Sequence, residues 1–257
     1  MRRFAVVILV LACLPIGVAA ARQFVQQGNL RVAFEAKLLP YALPRERSAP
    51  VTVQLGGAIR TTDGSTPPQL REISIAMNRA GIVSVAGLPS CSAAALQQTS
   101  TEAALAACRG ALVGRGHFAA NVDFPGAPVF PAQGQVLVFN DSHRGKMGLL
   151  LHLYGSSPVR AAFVLPFKIE RHSEGKFGTV FSTRIPRLAS DQGYVTDIQL
   201  KIGRKYSYRG KRRSFISASC AAAAGFPGAF YELAKATFAF SGGQKLTTRL
   251  PGDCAVR

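Results

Sequence analysis

The chain has 257 residues, of which 48% are hydrophobic and 17% are charged. A packed core is therefore expected, and wholesale disorder is excluded. Lysine and arginine total 31 against 13 acidic residues, for a formal charge of +18. This excess favours contact with polyanions, although the same enrichment can serve solubility alone.

The N-terminal 21 residues have the organisation of a secretory signal peptide. Two arginines precede an apolar stretch that ends in small residues: Arg2, Arg3, Phe4–Val18 and Val18–Ala21. We expect cleavage after Ala20 or Ala21, and export to the medium or the cell envelope. The alternatives are a retained membrane anchor, for which the stretch is short, and a lipoprotein modified at Cys13. We expect no transmembrane segment after the signal is removed.

Four cysteines remain after the signal: Cys91, Cys108, Cys220 and Cys254. An even number in an exported protein indicates disulfide bonds. Three pairings are possible, and we favour the two local ones, Cys91–Cys108 and Cys220–Cys254. A zinc site needs closer pairs than these, since no two cysteines lie nearer than 17 positions. We expect no metal and no cofactor.

Apolar residues alternate with mostly polar ones along much of the chain, and this period of two indicates half-buried strands. The segments are Leu30–Leu38, Val51–Leu55, Ile73–Met77, Phe118–Phe124, Gln135–Phe139, Leu149–Tyr154, Phe163–Ile169, Ile198–Ile202, Thr237–Phe240 and Lys245–Leu250. Turn signals such as Asp63-Gly64 and Arg209-Gly210 separate them. The pattern predicts an all-β, antiparallel, sandwich-like fold.

One short helix is predicted near residues 100–108. Thr99 and Glu102 have the spacing of a capping box, and the helix formers Ala103–Ala107 follow. A second apolar patch, Ala221–Ala224, is soon stopped by a glycine and a proline.

Four segments of the first half recur in the same order in the second half, at offsets of 129, 125, 129 and 120 residues. The pairs are Leu30–Phe34 with Val159–Phe163, Glu72–Ile75 with Asp197–Leu200, Cys91–Ala95 with Cys220–Ala224, and His117–Ala120 with Thr237–Phe240. The order predicts a degenerate duplication. We expect one sandwich-like repeat at 22–155 and another at 156–257.

The sequence resembles an uncharacterised group of exported, β-rich actinobacterial proteins. The resemblance rests on Thr61–Ser65 with Pro67–Leu70, on Tyr206–Gly210 and on Gly225–Ala229. It implies export, and no activity is established for that group.

Familiar catalytic motifs do not occur. There is no Gly-x-Ser-x-Gly elbow and no His-Glu-x-x-His. His152 has the leucine-rich surroundings of a core histidine, and His143 lies in a polar turn where a weak ion site is conceivable. The acidic pairs Glu170/Glu174 and Asp191/Asp197 are expected to be solvated turn residues. We therefore expect a non-catalytic binding or structural protein, secreted or associated with the cell surface. The alternative is an exported hydrolase whose active site the sequence does not reveal.

The strongest surface signal is a basic segment with interleaved tyrosines. Its members are Lys201, Arg204, Lys205, Tyr206, Tyr208, Arg209, Lys211, Arg212 and Arg213. On a hairpin these residues form a cationic ribbon with aromatic rungs, suited to phosphates and other polyanions. Because exported proteins seldom bind nucleic acid, we expect an anionic cell-envelope polymer or surface as the partner. The alternative is an edge hairpin that charge protects from aggregation.

Overall fold

The computed structural model describes residues 21–157, 160–173, 175–187 and 192–257. The predicted signal peptide, Cys13, Glu174 and Asp191 lie outside these residues, apart from Ala21. The strands in chain order are β1 (Ala21–Gln27), β2 (Leu30–Leu39), β3 (Ala42–Leu43), β4 (Ala49–Pro50), β5 (Thr52–Thr61), β6 (Leu70–Asn78), β7 (Gly81–Val83), β8 (Leu112–Val122), β9 (Phe130–Asn140), β10 (Met147–Ser157), β11 (Ala161–Arg171), β12 (Phe177–Arg184), β13 (Gly193–Ile202), β14 (Lys205–Tyr208), β15 (Lys211–Ser214), β16 (Ile216–Ala218), β17 (Gly228–Phe240) and β18 (Lys245–Val256). The helices are α1 (Ala93–Leu96) and α2 (Thr101–Cys108).

The all-β, antiparallel prediction is confirmed. One large sheet has the order β1-β2-β5-β13-β8-β9-β10-β11-β12-β6-β17-β18-β3. Its pairs are antiparallel except for the short contact between β18 and β3. The sheet curls, so that β18 comes back against β1 and β2. Two small sheets, β14-β15 and β4-β16-β7, complete the fold.

The architecture differs from the expected pair of sandwiches, because strands from both halves of the chain pair with each other. β13 lies between β5 and β8, and β6 lies between β12 and β17. The expected boundary near residue 155 falls where β10 and β11 pair directly. Alternation of apolar and polar residues shows which face of a strand is buried but not which strand lies beside it. The sequence therefore did not reveal that the two halves exchange β6 and β13.

The strand order has the same form twice. The series β1-β2-β5-β13-β8-β9 is followed by β10-β11-β12-β6-β17-β18. Three of the recurring sequence segments fall at matching places in the two series, with β2 opposite β11, β13 opposite β6, and β8 opposite β17. The duplication stays a prediction. In a duplication that follows these two series, each repeat contributes one strand, β6 or β13, to the other repeat. Cys91 and Cys220 lie in loops.

The core has two apolar clusters inside the curl and a third under the helices. The largest cluster joins β8–β10 to the inner strand β16, and the second joins β2 to β17 and β18. On β9, Val136 and Val138 face the first cluster, whereas Leu137 and Phe139 pack with α1 and α2. β9 is therefore buried on both faces.

The predicted helix is present as α2, with a different cap. The Ser100 hydroxyl accepts the hydrogen bond from the Ala103 amide at 3.2 Å, whereas the Thr99 hydroxyl donates to the Leu96 carbonyl at 2.8 Å. The preceding helix α1 was not predicted. It is a single turn capped by Ser92.

The Ala221–Ala224 patch is irregular rather than helical. The Arg45 guanidinium holds this loop by donating to the carbonyls of Ala222, Ala223 and Phe226.

The cysteines pair as expected. Cys91 bonds Cys108, with Cα atoms 5.6 Å apart, and Cys220 bonds Cys254, with Cα atoms 5.7 Å apart. The first bond closes the helical segment, and the second ties the loop after β16 to β18. Each therefore lies within one half of the chain.

In the described ranges, the structure contains no helix with the length and apolar character needed to cross a membrane.

Candidate functional site

The basic segment forms a separate two-stranded hairpin, β14–β15, as the sequence suggested. Tyr206 lies opposite Arg213, and Tyr208 lies opposite Lys211. Its turn consists of Arg209 and Gly210, which both have positive φ angles, of 50° and 70°. Two such residues form the tight turn that matches the twist of paired strands.

The base of the hairpin is fixed to the body of the protein. The Arg204 side chain donates to the Leu112 carbonyl at 2.9 Å and also to the Gly110 carbonyl. The next residue beyond β15, Phe215, is fully buried, and its amide donates to the Arg204 carbonyl at 2.8 Å. Arg204 is therefore an anchor and not an exposed cation.

The two tyrosines lie against the loop of residues 84–88. The Tyr206 hydroxyl donates to the Ala86 carbonyl at 2.9 Å. The Tyr208 ring packs against Gly87, where an added Cβ atom would overlap the ring. Both rings are half-buried, so they hold the hairpin in place rather than project as the free aromatic rungs we expected.

The remaining cations of the hairpin are exposed: Lys205, Arg209, Lys211, Arg212 and Arg213. Within the described part of the chain, none of them forms an ion pair. The Arg209 guanidinium lies over the Tyr208 ring, 5.2 Å from its centroid. These side chains thus present uncompensated positive charge on an anchored element; we call them the exposed hairpin cations.

A groove of about 270 Å³ runs along the hairpin. Its walls are Pro50, Lys205, Tyr206, Ser207, Arg212 and Arg213. Three of these six residues are exposed hairpin cations, so positive charge borders the groove.

Lys201 does not belong to the hairpin. It lies on β13 opposite Arg115 of β8 and Gln54 of β5. These residues line a second polar groove of about 330 Å³ on the sheet, which also includes Lys37 and His117. Sequence reasoning missed this groove because its residues come from four strands far apart in the chain.

Of the other residues that the sequence singled out, Glu170 lies on β11 and Asp197 lies on β13, rather than in turns as expected. The two histidines have structural partners. His152 is fully buried, as expected for a core histidine. The His143 ring nitrogen Nδ1 lies 2.9 Å from the Asp141 carbonyl oxygen and 3.4 Å from its carboxylate. Burial raises the pKa of Asp141. Among the described residues, no three His, Cys, Asp or Glu side chains converge as a metal site would require.

Comparison with known proteins adds no relative: no family model, curated protein or solved structure matches the chain.

Proposed function

We propose that this is an exported, non-catalytic protein that binds an anionic polymer or surface of the cell envelope through the β14–β15 hairpin. The observation that carries the proposal is the group of exposed hairpin cations, which lack ion pairs among the described residues and border a groove. Neutralising several of them by phosphate, sulfate or carboxylate groups releases counterions from the polymer, and this release drives binding.

The anchoring of the hairpin supports the same function. Arg204, Tyr206 and Tyr208 bind or pack against backbone of the protein body. A cationic surface held in place loses less conformational freedom on binding than a mobile loop does. A hairpin whose charge served only to prevent edge pairing would not need these contacts.

Export is part of the proposal. The signal-like N-terminus and the resemblance to exported actinobacterial proteins favour it. The disulfides Cys91–Cys108 and Cys220–Cys254 fit an oxidising compartment outside the cytoplasm.

The salt dependence of binding to heparin, a sulfated polysaccharide, tests the proposal. The test variant replaces four hairpin cations with glutamine: Arg209, Lys211, Arg212 and Arg213. Each lost contact removes roughly 0.7 to 0.9 from the slope of log affinity against log salt. The slope should therefore become shallower by about three units, while the fold is retained because exposed charges contribute little to stability.

A matched variant controls for net charge. It also replaces four exposed cations with glutamine, on β5, β11, β12 and β18: Arg60, Lys168, Arg184 and Lys245. We expect this control to bind with nearly the wild-type slope. Equal losses in both variants would mean that the positive charge acts diffusely, and would contradict a hairpin site.

A further inference from the structure

The interior of the curled sheet contains an apolar cavity of about 120 Å³. It lies where the two inner clusters meet, since Leu151 belongs to the first and Ala234 to the second. β2, β5, β6, β10, β13 and β17 contribute walls, and the inner strand β16 contributes Ile216 and Ala218.

Several of the lining side chains keep accessible surface although they pack against the core. Leu38, Met77, Phe167 and Phe181 are only half-buried, and all four line the cavity. A well-packed interior leaves few voids larger than a water molecule. This one resembles in size the apolar cavities, of about 150 Å³, that stay dry and admit benzene.

The lining defines the chemistry of the occupant. Asn78 is among its few polar residues, and the side chain of Asn78 is engaged elsewhere. It donates to the Glu232 carbonyl at 2.8 Å and accepts from the Ala80 amide at 2.9 Å. The other polar residues of the lining are Ser219 and Tyr231. A charged group in this cavity would therefore lose its hydration and gain few partners in exchange.

A narrow cleft approaches the cavity at the seam of the sheet. It has a volume of about 30 Å³, lies between β2 and β18, and shares Leu38 and Tyr231 with the cavity walls. At its rim the Tyr41 hydroxyl donates to the Asp253 carboxylate at 2.9 Å. The large sheet is ordered from β1 to β3 without a ladder between β1 and β18, so backbone hydrogen bonds do not close the wall at this seam.

We infer that this cavity is a binding site for a compact, uncharged hydrocarbon group of about the size of a benzene ring. The site is separate from the hairpin, and it does not depend on the function proposed for the hairpin. Binding is driven by transfer of the apolar group from water to an apolar surface.

Fluorine NMR on the folded protein tests this inference with fluorobenzene as the probe. We expect saturable binding of fluorobenzene to the wild type. Protonated 4-fluorobenzylamine, which has a similar ring and a positive charge, should not bind. Absence of fluorobenzene binding, or equal binding of the two probes, would overturn the inference.

Two substitutions that fill the cavity from different walls locate the site. Leu200→Phe and Met77→Phe each add volume to a half-buried lining residue. Either should weaken fluorobenzene binding by at least ~10-fold. Leu105→Phe on α2 makes the same change as Leu200→Phe outside the cavity, and should leave the affinity unchanged. Circular dichroism selects the variants that fold, and wild-type affinity in a folded cavity variant would contradict the assignment.

Discussion

His152 shows how a single side chain links the helical segment to the sheet. Its Nε2 atom lies 3.0 Å from the Thr99 carbonyl oxygen, which makes Nε2 the protonated nitrogen. Nδ1 is buried and has no hydrogen-bond partner among the described residues. Burial lowers the pKa of His152, with the Thr99 contact opposing it. The leucines around His152 in the sequence predicted this burial, but they gave no sign of the Thr99 partner, which comes from a distant loop.

Stability should therefore fall on acidification because of His152. In the unfolded chain the imidazole binds a proton with a pKa near 6.5. In the folded protein its pKa is lower because the ring is buried. The contribution is constant above the unfolded pKa and is lost as the pH falls below it, by at most about 1.4 kcal/mol per pH unit. Urea unfolding at pH 7.5 and 5.0 measures the difference in the free energy of unfolding between the two pH values. His152→Gln should lose less stability between the two pH values than the wild type does.

His172→Gln provides the control, since His172 is exposed. Its loss of stability on acidification should match that of the wild type. If His152→Gln also matched the wild type, the burial of a neutral imidazole would not be the cause.

Among the elements, the β14–β15 hairpin depends on one glycine of the loop beneath it. Gly87 has a φ angle of +81°, and its missing Cβ leaves room for the Tyr208 ring. Gly87→Ala should displace the hairpin and weaken heparin binding while the cations and net charge stay the same. Because the number of cations is unchanged, the salt slope should change less than the affinity. Hydrogen exchange of residues 205–214 should accelerate at the same time.

Gly126→Ala is the matched control for this change. Gly126 also has a positive φ angle, of +77°, but an added Cβ would have no atom of the described ranges within 4 Å. The Gly126→Ala substitution imposes a similar backbone strain without touching the hairpin, so heparin affinity should be retained. Equal weakening by both substitutions would show that the contact between Gly87 and Tyr208 does not position the hairpin.

The strands differ in how well the sequence predicted them. β2 and β11 have clear alternation, and their positions were predicted closely. β12 was missed because Thr179 and Thr183 are buried on it, which removes the apolar signal. The Thr183 hydroxyl donates to the Pro166 carbonyl at 2.8 Å, so its burial is compensated. Such a contact joins two strands and cannot be read from either one alone.

At the scale of the whole molecule, the exchange of β6 and β13 makes the two halves of the chain interdependent. Each half supplies a strand that pairs on both sides with strands of the other half. The disulfides lie within the halves and do not join them. Recurring sequence segments led us to predict two related halves but not the exchange of strands, because pairing partners are set by the folded sheet.

Cutting the chain between β10 and β11 tests this interdependence. A protease site inserted there allows the folded protein to be cleaved into its two halves. We expect the halves to remain together in size-exclusion chromatography and to separate only in denaturant. Halves that separate under native conditions and stay folded would mean two independent units, contrary to the exchanged sheet.

We propose the β14–β15 hairpin as the place where a polyanion binds. Acetylation of lysines, followed by mass spectrometry with and without heparin, tests it most directly. Lys205 and Lys211 on the hairpin should be protected by heparin, whereas the exposed Lys168 and Lys245 of the large sheet should react at the same rate in both conditions. Equal protection of all four lysines, or protection of Lys168 and Lys245 alone, would contradict the claim.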